Sequence, residues 1–264
     1  MLPKDVISQI RRIEIRTKKL VNEVFAGEYE SVFKGQGVEF SEVREYIPGD
    51  DVRRIDWNVT ARMGNPYVKK FQEERELTLV FVVDASASQY FGTIAQEKIN
   101  LASEVTALLS FTAIANNDKV SLILFSDRIE RFVPPKKGRN HVMRIIRDLS
   151  YFKPEGKKTN IALALQHLNR VIRKRSIVFL ISDFLDEGFD KPLKITARKH
   201  DLIAVRVHDP LELSFSSKQV ELLKKQEELF TSNDIDLIDL STAKPFVDEL
   251  IKFFSKRERR LRTI

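Results

Sequence analysis

Cysteine is absent from all 264 residues, which excludes disulfides and thiolate metal sites and suits a reducing compartment, the cytoplasm by default. Glycine and proline are scarce, nine of each, too few for a fibrous or low-complexity chain. No apolar run approaches the roughly 20 residues that a bilayer-spanning helix needs, and the most apolar segments, 77–84 and 177–183, fall far short. The first 20 residues carry Lys4, Arg11, Arg12, Arg16, Lys18 and Lys19 with no apolar stretch behind them, so they do not read as a secretory signal. The four histidines are scattered, glycine-rich phosphate loops are missing, and no Ser–His–Asp order is evident.

Hydrophobic residues make up 42% of the chain and charged residues 31%, a globular composition able to bury a full core. The formal charge of +7 arises from 45 basic residues interleaved with 38 acidic ones, a pattern that reads first as a solvated mixed surface. The basic run at 173–175 and the tail KRERRLR keep open nucleic-acid binding, and the N-terminal helix keeps open peripheral contact with an anionic membrane.

Periodicity predicts an amphipathic helix over 4–25, stopped at Gly27, followed to about residue 71 by an irregular arm or small subdomain. From Leu77 the grammar changes. The runs LTLVFVVD, KVSLILF, RIERFV, SIVFLIS, DLIAVRV and IDLIDL read as strands, and helices are expected over 96–115, 139–150, 159–173, 189–199 and 245–260, with 211–232 open between helix and hairpin. Alternation of buried strands with helices predicts an α/β fold: a doubly wound, mainly parallel, Rossmann-like sheet covered on both faces. The domain expectation is 1–74 for helix and arm, and 75–264 for the α/β domain.

The first strand runs directly into Asp84-Ala85-Ser86-Ala87-Ser88 at the edge of the sheet where doubly wound folds bind ligands. Alternate positions of an extended segment project the same way, so Asp84, Ser86 and Ser88 can converge. Thr159 precedes a helix and Asp183 ends a strand at the same edge, although each residue also suits a helix cap. Hard oxygen ligands without a soft one point to Mg²⁺, or to Mn²⁺ or Ca²⁺, rather than zinc.

This constellation resembles the metal-ion-dependent adhesion site of the von Willebrand factor A family, over about residues 77–250. The resemblance implies that Ser86, Ser88 and Thr159 ligate a divalent ion directly, while Asp84 and Asp183 act largely through water. A cation so weakly neutralised keeps a position for a partner's carboxylate. Lys157 and Lys158 stand where the family often has small residues, and would weaken cation binding while attracting an acidic partner. Upstream, GQGVEFSEVREYIPGDDVRRIDWNVTARMGNPYVKKFQEE, residues 35–74, is similar to the signature of the bacterial domain of unknown function 58 family. That resemblance implies a MoxR-type AAA+ ATPase as partner.

Within the same segment Arg44, Asp50, Asp51, Arg53, Arg54, Asp56 and Arg62 surround the single tryptophan, Trp57. Near-balance of charge favours an internal network of carboxylate–guanidinium pairs with Trp57 as its buried apolar anchor, over a docking or nucleic-acid surface. The functional expectation is a non-enzymatic, metal-dependent protein-binding module. A nucleic-acid- or membrane-binding protein, and a metal-dependent phosphoryl hydrolase using Asp84 and Asp183, are the alternatives.

Overall fold

The computed structural model describes residues 21, 29, 32–33, 39–72, 76–90, 96–211 and 217–262. The helix expected over 4–25 lies outside the described residues, Val21 excepted. The chain divides into two compact units, Phe33–Glu76 and the combination of Met1–Val32 with Leu77–Ile264.

In the small unit β1 (Glu39–Glu45) pairs antiparallel with β2 (Tyr67–Gln72), and between them lie a 3-10 turn (Val52–Arg54) and the short helix α1 (Trp57–Met63). Among the described side chains the expected charge network shows at Arg44 and Asp50. Arg44 grips Asp50 with two nitrogens at 2.8 and 2.7 Å, but Asp51 accepts the Arg53 N–H, and Asp56 caps α1 through the N–H groups of Asn58 and Val59. Both the Asp51 and Asp56 carboxylates serve turn and cap chemistry. Trp57 is not the buried anchor anticipated: it occupies the first position of a seven-residue helix that buries nothing, and is 69% exposed.

The large unit follows the expected α/β pattern. Its elements are β3 (Thr78–Asp84), a 3-10 turn (Ala87–Tyr90), α2 (Lys98–Ala115), β4 (Lys119–Phe125), β5 (Ile129–Lys136), α3 (Arg139–Tyr151), α4 (Ile161–Val171), β6 (Ile177–Ser182), α5 (Asp190–Lys199), β7 (Asp201–His208), α6 (Ser217–Thr231), β8 (Asp236–Ser241) and α7 (Phe246–Arg262). The ambiguous region 211–232 thus contains a helix.

The six strands are ordered β5-β4-β3-β6-β7-β8, all parallel except β5, which returns on β4 as an antiparallel edge. Leu79–Val83 and Val178–Leu180 have no exposed surface, because a central parallel strand is covered on both faces and must be apolar at every position. Val80 and Val82 join Ile161, Leu165 and Leu168 of α4, Leu193 of α5 and Phe230 of α6 in one buried cluster. Helix α2, none of whose residues belong to that cluster, packs on β3, β4 and β7 from the other side, where Phe81 stacks on Phe179 at 5.5 Å. His141 and His167 are half-buried: His141 bonds the Val120 carbonyl, and His167 meets the Phe132 ring edge-on. Among the described residues no helix is long and apolar enough to cross a membrane.

Candidate metal centre

From β3 the chain proceeds to β4 on one side, and β6 pairs on the other, so the carboxyl ends of β3 and β6 flank the topological switch point of the sheet. Doubly wound folds open their ligand crevice at that place. Asp84 is the last residue of β3, and Asp183 directly follows β6.

Convergence of Asp84, Ser86 and Ser88 does not come from an extended strand, as expected, but from a turn. Asp84 Oδ1 accepts the Ser86 N–H at 2.9 Å, folding the chain into the 3-10 turn that carries Ser88. Thr159 is not a helix cap either. Asn160 caps α4 by accepting the Leu163 N–H, which leaves the Thr159 hydroxyl free to donate to Ser86 Oγ at 2.9 Å and to approach Asp84 Oδ2 at 3.4 Å. Asp183 caps no helix: it accepts the Leu185 N–H at 3.2 Å with one oxygen and the Ser88 hydroxyl at 2.7 Å with the other.

All five anticipated side chains therefore form one contiguous chain of oxygens, Asp84–Thr159–Ser86–Ser88–Asp183, with the two serine hydroxyls 3.2 Å apart. Asp84, Ser86 and Asp183 are buried, while Ser88 and Thr159 are half-buried. The set fits a hard divalent cation. An octahedron with bonds of about 2.1 Å has edges of about 3.0 Å, close to the 2.9 Å from Thr159 to Ser86 and the 3.2 Å from Ser86 to Ser88. No group of three or more His, Cys, Asp or Glu side chains gathers for a metal among the described residues, so the hydroxyls are essential to any such site.

Three features escaped sequence reasoning. Ser182 donates to Asp84 Oδ2 at 2.7 Å and accepts the Phe184 N–H, tying the ends of β3 and β6 together. Lys98, the first residue of α2, is fully buried with its ammonium 2.8 Å from Asp183 Oδ2. The loop before Thr159 is clamped by Glu130, which accepts the Ser126 hydroxyl at 2.6 Å and the Gly156 N–H at 2.8 Å. A Cβ on Gly156 would fall 2.1 Å from Ser126 Oγ, so only glycine lets the loop lie this close. Of these, only a glycine before the Thr159 loop left a trace in the sequence.

Burial, and secondarily the Asp183 carboxylate, pushes the Asp84 carboxyl up to about 7, against hydrogen bonds from Ser86 and Ser182 that favour the anion. Just beyond Asp183, Phe184 adopts a left-handed backbone with φ 57°, held by contacts with Phe189 and Phe230 and by Gln226, which donates to its carbonyl. That conformation turns the chain sharply away after the carboxylate.

A doubly wound α/β domain with an oxygen-rich cluster at its switch point is thus the class that fold and site define. Residues 42–236 match the family described as protein of unknown function DUF58, and the chain belongs to that family. It is 34% identical over 207 residues to an uncharacterized protein of Mycobacterium tuberculosis, an alignment covering 77% of this chain and 65% of that protein. The chain therefore spans less than two thirds of this curated relative.

Among solved structures it is similar to the conserved hypothetical protein BatB from Bacteroides thetaiotaomicron, with a TM-score of 0.52 and 14% identity, over 69% of this chain and 99% of that one. An aerotolerance-related membrane protein from Bacteroides fragilis matches with the same TM-score and identity, over 70% and 99%. These likenesses show the fold alone. Von Willebrand factor type A domains are matched as well, at TM-scores of 0.41 and 0.42.

Proposed function

We propose that this protein is a non-enzymatic interaction module that binds a partner's carboxylate through a divalent metal, Mg²⁺ first among the hard cations. The observation that carries this reading is the unbroken run of five side chains at the sheet's switch point, with Ser86 Oγ 2.9 and 3.2 Å from its two hydroxyl neighbours and the carboxylates at the two ends. Ser86, Ser88 and Thr159 would hold the cation, and Asp84 and Asp183 would orient those hydroxyls from behind. When bound, the cation supplies a Lewis-acidic position that an incoming Asp or Glu fills. Ser88 and Thr159 keep part of their surface accessible, and the exposed Lys157 and Lys158 that precede Thr159 would bias approach towards acidic surfaces. Recognition of an anion needs no general acid or nucleophile, and this supports binding over turnover.

The partner we propose is a MoxR-type AAA+ ATPase offering an acidic residue, and the support for that choice is family resemblance only. Tagged protein incubated with lysate, and with the purified ATPase, in Mg²⁺ or in EDTA tests the reading. Complex formation in Mg²⁺ that disappears in EDTA and in the Ser86→Ala/Ser88→Ala variant, with the fold retained, is the expected result. Equal affinity of the double variant in EDTA would sink the mechanism.

A further inference from the structure

Among the described residues Lys98 is the one cation built into the cluster. Its placement is unfavourable twice over: an ammonium with no exposed surface is heavily desolvated, and the first residue of an 18-residue helix sits at the positive end of the helix dipole. Asp183 compensates, its Oδ2 accepting from the Lys98 ammonium at 2.8 Å and from the Ser88 hydroxyl at 2.7 Å on the same atom. The ammonium therefore acts on the oxygen that orients one of the three hydroxyls proposed to hold the metal.

Charge counting gives the consequence. Asp84 and Asp183 are the two carboxylates of the cluster, and Lys98 cancels one of them before any metal arrives. A divalent ion added to that remainder leaves one uncancelled positive charge in a buried place, and the exposed Lys157 and Lys158 add to the excess. Asp186, which accepts the Ile161 N–H at 2.8 Å, lies at the same sheet edge but is committed to the start of α4. One further carboxylate, supplied from outside, brings the innermost groups to balance.

We infer that Lys98 is a resident counter-cation that makes metal and partner carboxylate mutually dependent, so that the site holds a divalent ion tightly only when an anionic ligand completes it. The inference rests on the proposed metal site and adds to it a coupling between its two ligands. Lys98 is a positioning residue, acting through Asp183.

The test measures Mn²⁺ binding to the full chain, with and without acetate as a carboxylate probe, for wild type and Lys98→Met. Methionine keeps an unbranched side chain as far as Cε while removing the ammonium, and Asp183 retains the Ser88 hydroxyl and the Leu185 N–H. The expected result is Mn²⁺ affinity about tenfold or more higher in Lys98→Met, together with loss of most of the enhancement that acetate gives to wild type. Unchanged or weaker affinity in a folded variant overturns the inference while leaving the metal site standing. A second measurement needs no variant: the buried ammonium of Lys98, followed by its ¹⁵N resonance, should shift as Mg²⁺ saturates the wild-type protein. Thermal stabilisation by Mg²⁺ with a stationary Lys98 signal overturns the coupling alone. Absence of any metal effect on either protein removes both the coupling and the reading on which it stands.

Discussion

The main-chain N–H of Ala87 donates to the carbonyl of Lys157 at 3.1 Å, so the loop after β3 and the loop before α4 are stitched together beside the hydroxyls they contribute. A second stitch, Asn160 N–H to the Ser126 carbonyl at 2.9 Å, fixes the far end of the same loop to the β4–β5 hairpin. The position of Thr159 is therefore a property of backbone contacts as much as of its own side chain.

Gly156→Ala should disturb that arrangement. The added methyl meets Ser126 Oγ at 2.1 Å and Ser126 Cβ at 2.9 Å, and the short, Glu130-bonded serine has little room to yield. Loss of about 1–3 kcal/mol of stability, with weaker metal response, is expected from overpacking. Denaturant unfolding and a Mg²⁺ thermal shift, run side by side, check it; wild-type values in both would show that the loop is positioned otherwise.

Asp84→Asn separates stability from binding. The carboxylate is wholly buried and within reach of a second one, so an isosteric neutral amide should leave the metal-free protein as stable or more stable by about 1 kcal/mol. The same change should abolish stabilisation by Mg²⁺ or Mn²⁺, which acts by mass action on the folded state. Differential scanning fluorimetry over a metal titration reads both effects. A destabilised variant that still responds to metal would contradict the assignment.

His200 sets an acid limit. The ring is buried, neither nitrogen finds a partner among the described residues, and burial, with Lys199 and Arg175 nearby, lowers its pKa to about 4. A group depressed on folding contributes stability that is complete above its unfolded value, about 6.5, and is lost as pH falls towards 4. The loss should reach about 2–3 kcal/mol by linkage, and His200→Leu should flatten that limb of the pH profile. Urea midpoints between pH 7 and pH 4 would reveal a variant that keeps the wild-type slope, the outcome that excludes His200.

Trp57→Ser should change stability by less than about 0.5 kcal/mol, since the indole is mostly exposed on a helix that buries nothing. Chemical denaturation followed by circular dichroism decides. A cost of several kcal/mol would restore the buried anchor anticipated from composition.

Apolar runs such as LTLVFVV and SIVFLIS were legible because a strand covered on both faces cannot tolerate polar residues, and each run is visible without its neighbours. Asp84 and Asp183 were legible for the same reason: each sits where such a run stops. Lys98 was not, because its meaning depends on a residue 85 positions away, and a lysine at a helix start reads as an ordinary solvated charge. The choice between Thr159 and Asn160 as cap was equally hidden, since both residue types cap helices and only the fold decides which hydroxyl or amide turns inward. Trp57 misled because aromatic side chains are usually counted towards a core, whereas the short helix α1 has no buried face to receive one. Helix α6 lacked a clean period because, among its described side chains, burial falls on a polar residue, Gln226, as well as on Phe230.

The oxygens of the cluster come from segments far apart along the chain: Ser86 meets Thr159 across 73 positions, and Ser88 meets Asp183 across 95. Parallel pairing of β3 with β6 must be complete before the last of these contacts can exist, and such long-range closure is a slow event in folding. No partly folded intermediate with β6 still unpaired can present the site. A ligand that engages all five side chains would therefore act on the native state alone, slow unfolding rather than speed folding, and sense that β3 and β6 are in register.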